Sequence, residues 1–255
     1  MKKKILYVIL IFVATISINI VFSGKVEART SYNSELEYEE NEDGGITVYA
    51  ISKSIQNIII PSTIEGKNVT ELGKDAFRTC TSLKSIEFPN TLEKIENYAF
   101  YECYELESIN IPASVYKIGE YAFAYCKKIK NITIPYGVST IDSGTFISCE
   151  ILKTVNIPGS VTEIGYNAFC NCKSLEKISL KNVENLGDST FKGCSSLTSV
   201  GNINKLTDIP IDTFKDCTSL KSIILPQNIS YIGQKAFYNT RLNRSCNTRK
   251  GKYNL

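Results

Sequence analysis

One apolar column repeats along most of this chain and constrains its fold more than any other feature. Phenylalanine recurs at intervals of 23, 23, 23, 23, 22, 23 and 23 residues. These phenylalanines are Phe77, Phe100, Phe123, Phe146, Phe169, Phe191, Phe214 and Phe237. Cysteine follows the first seven of them three residues later, at Cys80, Cys103, Cys126, Cys149, Cys172, Cys194 and Cys217. Because several columns keep this register, the sequence predicts about eight units that stack into a solenoid and share one core.

Each unit is predicted to contain a short strand, a corner and a turn. The stretch Leu-x-x-Ile-x-Ile-Pro alternates apolar and polar residues, which indicates a strand that ends at the proline. A second apolar pair follows, such as Val115 and Ile118, and Gly119 permits a corner. The stretch Ala-Phe-x-x-Cys predicts a short helical or 3₁₀ turn. The expected fold is an α/β-type solenoid over residues 46–240, a right-handed coil of parallel strands about 4.8 Å apart.

The seven cysteines of the repeating column are predicted to be buried free thiols. Equivalent side chains in stacked units point the same way about 4.8 Å apart. A disulfide needs Cβ atoms about 3.8 Å apart that face each other. Disulfides stay the alternative, because nine cysteines in an exported chain often pair. Cys170 and Cys246 lie outside the column and are predicted to be exposed, reactive thiols.

Both ends of the chain differ from the repeats. Lys2, Lys3 and Lys4 precede an apolar run that ends near a small-residue site at Ala28, so residues 1–28 predict a secretory signal peptide. Cleavage is expected after Ala28, with Gly24 as a second site and an uncleaved anchor as the alternative.

The two segments that flank the repeats carry opposite charge. Residues 29–45 carry one arginine and six acidic residues, and are predicted to be a solvated, mobile leader. Residues 241–255 carry five basic residues and no acidic residue, and they lose the repeat register. This basic tail is either a truncated repeat or an unfamiliar closure of the array. The central part is balanced in charge, which disfavours nucleic-acid binding.

The composition excludes most catalytic chemistry. The chain contains no histidine, which removes Ser-His-Asp and Cys-His mechanisms and all histidine-ligated metal sites. The one close cysteine pair, Cys170 and Cys172, has no second pair near it in sequence, so zinc binding is not expected. Only a hydrolase built on two carboxylates survives as a remote alternative. We therefore expect no catalytic residue, no metal and no cofactor.

Two groups of residues are candidates for binding a partner. Five tyrosines cluster in the second and third units: Tyr98, Tyr101, Tyr104, Tyr121 and Tyr125. Tyrosine is common at interface hot spots, but it also packs over the flank of a solenoid, and both interpretations stay open. The polar positions within the strands form a second candidate column of Glu87, Asn110, Thr133 and Asn156. This column is either a solvated face or a shallow docking face.

The repeat resembles the BspA-type leucine-rich repeat, as in residues 80–100, CTSLKSIEFPNTLEKIENYAF. The resemblance implies a leucine-rich repeat solenoid in a secreted or cell-surface protein, with no catalytic residues shared across the family. Several members act as adhesins, so we expect a non-catalytic protein that binds an extracellular, host or neighbouring-cell protein, with no membrane span after signal cleavage. A truncated or structural fragment of a larger bacterial surface protein is the alternative.

Overall fold

The structure, a computed structural model, describes residues 17–18 and 28–242. This part of the chain consists of strands and turns, with no helix. The predicted signal peptide (1–28) and basic tail (241–255) lie outside the described residues except at 17–18, 28 and 241–242, and Cys246 also lies outside them.

Nineteen short strands, numbered in chain order, fall into three groups. The N-terminal strands are β1 (Ser17–Ile18), β2 (Ala28–Ser31), β3 (Leu36–Glu40) and β4 (Ile46–Ala50). The strands of the Leu-x-x-Ile-x-Ile stretch are β5 (Asn57–Ile59), β8 (Ser85–Glu87), β11 (Asn131–Thr133), β13 (Thr154–Asn156), β15 (Lys177–Ser179) and β17 (Ser199–Gly201). The others are β6 (Thr63–Ile64), β7 (Lys67–Leu72), β9 (Lys94–Ile95), β10 (Lys117–Ile118), β12 (Thr140–Ile141), β14 (Glu163–Ile164), β16 (Asn185–Leu186), β18 (Asp208–Ile209) and β19 (Tyr231–Ile232).

Successive units, which we call rungs, stack with their equivalent residues paired. The strands of the Leu-x-x-Ile-x-Ile stretch form a first face, on which Ile132 pairs with Val155 in parallel strands and Ile178 pairs with Val200. The two-residue strands that follow them in each rung form a second face, on which Ile118 pairs with Ile95 in the same way. The alternating pattern buries one side of each strand and exposes the other. The expected solenoid of about 23-residue turns is therefore confirmed, while its right-handed sense stays a prediction.

The third segment of each rung is a run of β-turns, so the prediction of a helical or 3₁₀ turn is wrong. Two residues in each run have a positive φ, as Tyr98 (φ 60) and Glu102 (φ 61) do on either side of Phe100. A helix needs an unbroken run of right-handed residues. Backbone bonds alternate instead. Tyr101 N–H donates to Tyr98 C=O within the rung (3.1 Å), whereas Phe100 N–H donates to Ala122 C=O in the next rung (2.7 Å).

The phenylalanine column forms a continuous ring stack through the core. Neighbouring rings are 5.2–5.6 Å apart between centroids and within 13° of parallel. The first seven rings are completely buried, and Phe237 is 7% exposed. Each aromatic contact adds about 0.5–1.5 kcal/mol beyond the burial of apolar area. The stack therefore holds each rung to the next along the whole array.

All seven cysteines of the column are free thiols that are completely buried beside the ring stack. Six of them donate a hydrogen bond to the carbonyl of the phenylalanine in the preceding rung, at 3.1–3.2 Å. Cys80 donates to the Ser52 carbonyl at 3.8 Å. Burial raises the pKa of these thiols, to about 12 for Cys149.

The prediction that Cys170 is exposed is wrong, because its side chain is only 7% exposed. It follows Phe169 directly, and the same position in the adjoining rungs is held by half-buried Ile147 and Lys192. Burial also raises the pKa of the Cys170 thiol, with the charge on Lys192 opposing that effect. Cys170 is therefore buried although it lies outside the repeating cysteine column.

The acidic segment is part of the folded array and not the solvated leader that its charge predicts. Strands β2 and β3 pair antiparallel, β3 pairs with β4, and β4 continues in parallel onto β7. Leu36 is 1% exposed and Glu37 is 7% exposed. Arg29 places its guanidinium carbon 3.2 Å from the centre of the Tyr49 ring and pairs with Glu37 at 3.1 Å. These strands cap the N-terminal end of the core, as solenoids require.

Candidate partner-binding surface

Four tyrosines meet on the turn segments of two successive rungs. The rings of Tyr98 and Tyr121 are stacked, with centroids 5.1 Å apart and planes within 4° of parallel. Tyr101 packs edge-on against Tyr98 at 5.7 Å and against Tyr125 at 5.4 Å. All four side chains are half-buried. We call these four residues the tyrosine patch.

The repeat explains why these tyrosines meet. Tyr98 and Tyr121 both lie two residues before a core phenylalanine, so one stands over the other in adjoining rungs. Tyr101 follows Phe100 directly, and Tyr125 lies two residues after Phe123. The four rings are half-buried and pack against one another. The patch is therefore a surface feature built on a rigid column.

Three residues of the patch hold a backbone conformation that bulky residues rarely adopt. Tyr98, Tyr121 and Tyr125 have φ values of 60°, 55° and 61°. A left-handed conformation costs an ordinary residue about 1–2 kcal/mol. These residues belong to two columns, two positions before and two positions after each core phenylalanine. The remaining positions of the two columns hold mostly small or polar residues: Asp75, Thr79, Glu102, Gly144, Ser148, Asn167, Asn171, Ser189, Gly193, Asp212, Asp216, Lys235 and Asn239. Such strain concentrates at functional sites.

Sequence reasoning missed this strain. The signal was present, because columns that hold aspartate, asparagine, serine and glycine in most rungs hold tyrosine only in the second and third. Asparagine, aspartate and glycine are the residues that tolerate a left-handed backbone. Their recurrence at a fixed offset from phenylalanine predicts that conformation.

A cation borders the patch at its N-terminal end. The guanidinium carbon of Arg78 lies 5.4 Å from the Tyr98 ring centre and 5.0 Å from that of Tyr101. Asp75 pairs with Arg78 at 3.0 Å. Burial raises the pKa of Tyr101, and the charge on Glu102 adds to this effect. Burial also raises the pKa of Tyr121, and Tyr98 adds to that effect. The Tyr101 and Tyr121 hydroxyls are therefore neutral near pH 7, where each can both donate and accept a hydrogen bond.

Tyr104, the fifth predicted tyrosine, stands beside the patch and not within its ring contacts. Its ring lies 5.2 Å from the Lys127 ammonium and is half-buried. Burial raises its pKa, and Glu102 adds to that effect.

Three residues of the predicted polar column, Glu87, Thr133 and Asn156, lie on β8, β11 and β13, and Asn110 holds the equivalent position in a rung with only an isolated bridge at Ser108. Glu87, Asn110, Thr133 and Asn156 are all exposed. The Asn156 side-chain amide donates to the Thr133 hydroxyl at 3.2 Å. The same column starts and ends with exposed isoleucines, Ile59 (69% exposed) and Ile224 (86% exposed). The structure therefore offers two separate surfaces and does not combine the two predicted groups into one site.

An open depression of about 400 Å³ lies beside the polar column. It is lined by Lys130, Asn131, Ile151, Lys153, Ser174, Glu176 and Ser196. Lys153 and Glu176 form an ion pair across it at 3.2 Å. Both side chains are about half exposed, so the pair contributes little and leaves a shallow, mixed-charge surface.

Several acidic side chains of the second face form ion pairs with lysines. Lys117 pairs with Glu96 at 2.7 Å, and Lys94 pairs with Asp43 at 2.7 Å. Burial raises the pKa of Asp142, and the charge on Glu120 adds to this. Among residues 17–18 and 28–242, no three cysteine or carboxylate side chains come together as metal ligands. The same residues include no helix of the length and apolar character that crossing a bilayer requires.

Comparison with known proteins supports the geometry. The family model of the BspA type leucine rich repeat region matches residues 46–176 and 148–250, in six copies. A crystal structure of a leucine rich repeat protein from T. pallidum is 27% identical, with a TM-score of 0.55. The match covers 66% of this chain and 90% of that one. No curated protein matches the chain significantly.

Two further solved structures are also similar to this chain. A leucine rich cell surface protein from Faecalibacterium prausnitzii is 21% identical with a TM-score of 0.48, and the match covers 84% of this chain and 86% of that one. A leucine-rich repeat protein from Bacteroides ovatus is 21% identical with a TM-score of 0.39, covering 82% and 80%.

Proposed function

This chain belongs to the BspA-type leucine-rich repeat family, and on that basis we propose that it is a non-catalytic protein-binding member that acts outside the cell. The partner we propose is a protein on a host or neighbouring cell or in the surrounding matrix. The chain would then be an adhesin-like bacterial surface or secreted protein.

The tyrosine patch is the observation that carries this proposal. Tyr98 and Tyr121 keep a left-handed backbone at positions where the other rungs place aspartate, glycine, asparagine, serine or lysine. A purely structural role would favour the unstrained residues. Tyrosine offers a large contact area and a hydrogen bond at a low cost in side-chain entropy, which suits it to an interface. The strain is therefore consistent with retention for binding.

The N-terminal cap is compatible with cleavage of the predicted signal peptide. Cleavage after Ala28 would leave Arg29 as the first residue, and Arg29 contacts Tyr49 and pairs with Glu37. The N-terminal cap would keep these contacts after removal of the predicted signal peptide. The hydrogen-bonded, buried thiols also suit an oxidising environment, because exposure and thiolate character are what make cysteine reactive.

A binding assay tests the proposal. The secreted protein is immobilised and titrated with a panel of purified extracellular matrix proteins and with intact host or neighbouring cells. We expect at least one partner to bind in the micromolar range or tighter. A Tyr98→Asn/Tyr121→Asn variant should lose at least tenfold in affinity, because the ring stack is gone while the backbone conformation is tolerated.

A matched variant on the other surface is the control. Asn110→Ala/Thr133→Ala changes the exposed polar column and leaves the tyrosine patch intact, so it should bind as the unaltered protein does. Absence of any partner at micromolar protein would contradict the binding function. If the tyrosine variant keeps full affinity and the polar-column variant loses affinity, the binding site lies on the polar column and not on the tyrosine patch.

A further inference from the structure

Gly144 lies directly under the ring of Tyr121. It occupies the column of Tyr98 and Tyr121 in the following rung, and its φ is 63°. A Cβ atom at Gly144 would come within 2.3 Å of Cε1 and 2.4 Å of Cδ1 of Tyr121. Contacts this short do not occur, so the ring occupies the space that any other side chain would need.

This arrangement belongs to one rung. Tyr98 stacks on Tyr121, and Tyr121 in turn rests on the bare backbone at Gly144. The following members of the column are Asn167, Ser189 and Asp212, which all carry side chains. The row of rings therefore ends on the one glycine that this column has among residues 75–235.

The backbone on both sides of the contact is held in place. Gly144 N–H donates to the Tyr166 carbonyl at 2.8 Å, and Ile147 N–H donates to the Gly144 carbonyl at 3.0 Å. Tyr121 N–H donates to the Ser143 carbonyl at 3.0 Å. An added side chain at Gly144 would therefore be accommodated by movement of the Tyr121 ring and not by movement of the main chain.

We infer that Gly144 is the positioning residue of the tyrosine patch. Its missing side chain lets the Tyr121 ring lie flat against the backbone, and this fixes the plane on which Tyr98 stacks. The importance of Gly144 for partner binding rests on the function proposed above. Its effect on the position of the Tyr121 and Tyr98 rings does not depend on that function.

Gly144→Asn separates the steric effect from backbone strain. Asparagine adopts the left-handed conformation at the same column position in Asn167 (φ 55), so the backbone should tolerate it. The tyrosine ring protons are followed by NMR in the secreted protein, with assignments from Tyr98→Phe and Tyr121→Phe variants. We expect the resonances of Tyr98 and Tyr121 to move, because the ring-current contact between them is lost. Partner affinity should fall at least tenfold.

Gly193→Asn is the matched control. Gly193 also has a positive φ (73°), and an added Cβ would meet a side-chain oxygen, Oδ1 of Asn171, at 2.4 Å. It lies beside Phe191, away from the tyrosines, so its substitution should leave the Tyr98 and Tyr121 resonances unchanged. Urea unfolding of both variants shows that each is folded.

Unmoved Tyr98 and Tyr121 resonances in a folded Gly144→Asn variant would overturn the inference. Moved resonances with unchanged affinity for a bound partner would uphold the positioning role and would instead count against the tyrosine patch as the binding site. The two failures are therefore distinguishable.

Discussion

The Cys126 thiol donates a hydrogen bond of 3.2 Å to the carbonyl oxygen of Phe100, one rung earlier in the array. The relationship repeats from Cys103 with Phe77 to Cys217 with Phe191. A thiol that donates must be protonated, and the buried column keeps it so. Cysteine thus fills a small apolar space while supplying a weak donor to a carbonyl inside the core.

Alkaline pH should destabilise the array through these thiols. Burial raises the pKa of Cys149 and of Cys217 from 9.0 to about 12. The unfolded chain loses these protons first, so the stabilising contribution is complete below pH 9 and is lost as the pH rises toward 12. The midpoint of urea unfolding should fall over this window. A Cys149→Ala variant should show a shallower fall, and an identical slope would contradict the assignment.

The phenylalanine stack should be most sensitive in its middle. Phe123→Ala removes a buried ring that stacks on both sides, at 5.2 and 5.6 Å, and should cost about 3–5 kcal/mol. Phe237 stacks on Phe214 within the described residues and is 7% exposed, so Phe237→Ala should cost less. Urea unfolding measures both. Equal costs would mean that the rings do not act as a continuous stack.

The left-handed backbone at Tyr98 should be visible as a difference between two substitutions. Tyr98→Asn and Tyr98→Ala both remove the ring, but only asparagine tolerates the φ of 60° well. The asparagine variant should be more stable by about 1 kcal/mol. Tyr104 has no positive φ, so the same pair of substitutions there should show no such advantage for asparagine. An equal advantage at both positions would contradict the strain at Tyr98.

Arg29 should contribute to stability more than an exposed ion pair does. Arg29→Ala leaves Glu37, which is 7% exposed, without its partner and uncovers the Tyr49 ring. A loss of about 1–3 kcal/mol is expected. Lys67 pairs with Glu40 at the surface, and Lys67→Ala should cost less than about 1 kcal/mol. Comparable losses in thermal unfolding would argue against the cap as a folded unit.

We expect protein recovered from the culture medium to begin at Arg29, as the predicted cleavage after Ala28 requires. N-terminal sequencing of material from the culture medium checks this directly, because cleavage after Gly24 would instead give Lys25 as the first residue. Material retained on the membrane with residues 1–28 attached would support an anchor.

The sequence predicted the array well because each rung of a repeat array contacts mainly the rungs next to it in the chain. Spacing alone places Phe100 under Phe123 and Cys103 under Cys126, since equivalent residues of a stacked repeat share a column. The spacing did not predict two features that lie outside the repeating columns. Cys170 is buried although it lies outside the cysteine column, and β2 and β3 extend the sheet from β4 although their charge predicts a solvated leader.

The amino-acid pattern is enough to predict the period of the array, the buried columns and the family to which the chain belongs. The backbone of the turns, the stacking of Tyr98 on Tyr121 and the support at Gly144 become visible only in the folded chain. They do so because φ depends on hydrogen bonds to the next rung, as when Tyr98 N–H donates to the Glu120 carbonyl at 2.9 Å. The planes of the Tyr98 and Tyr121 rings likewise depend on the residue that each ring packs against in the next rung. A periodic pattern states which residues are neighbours, while the contacts between rungs set their conformation.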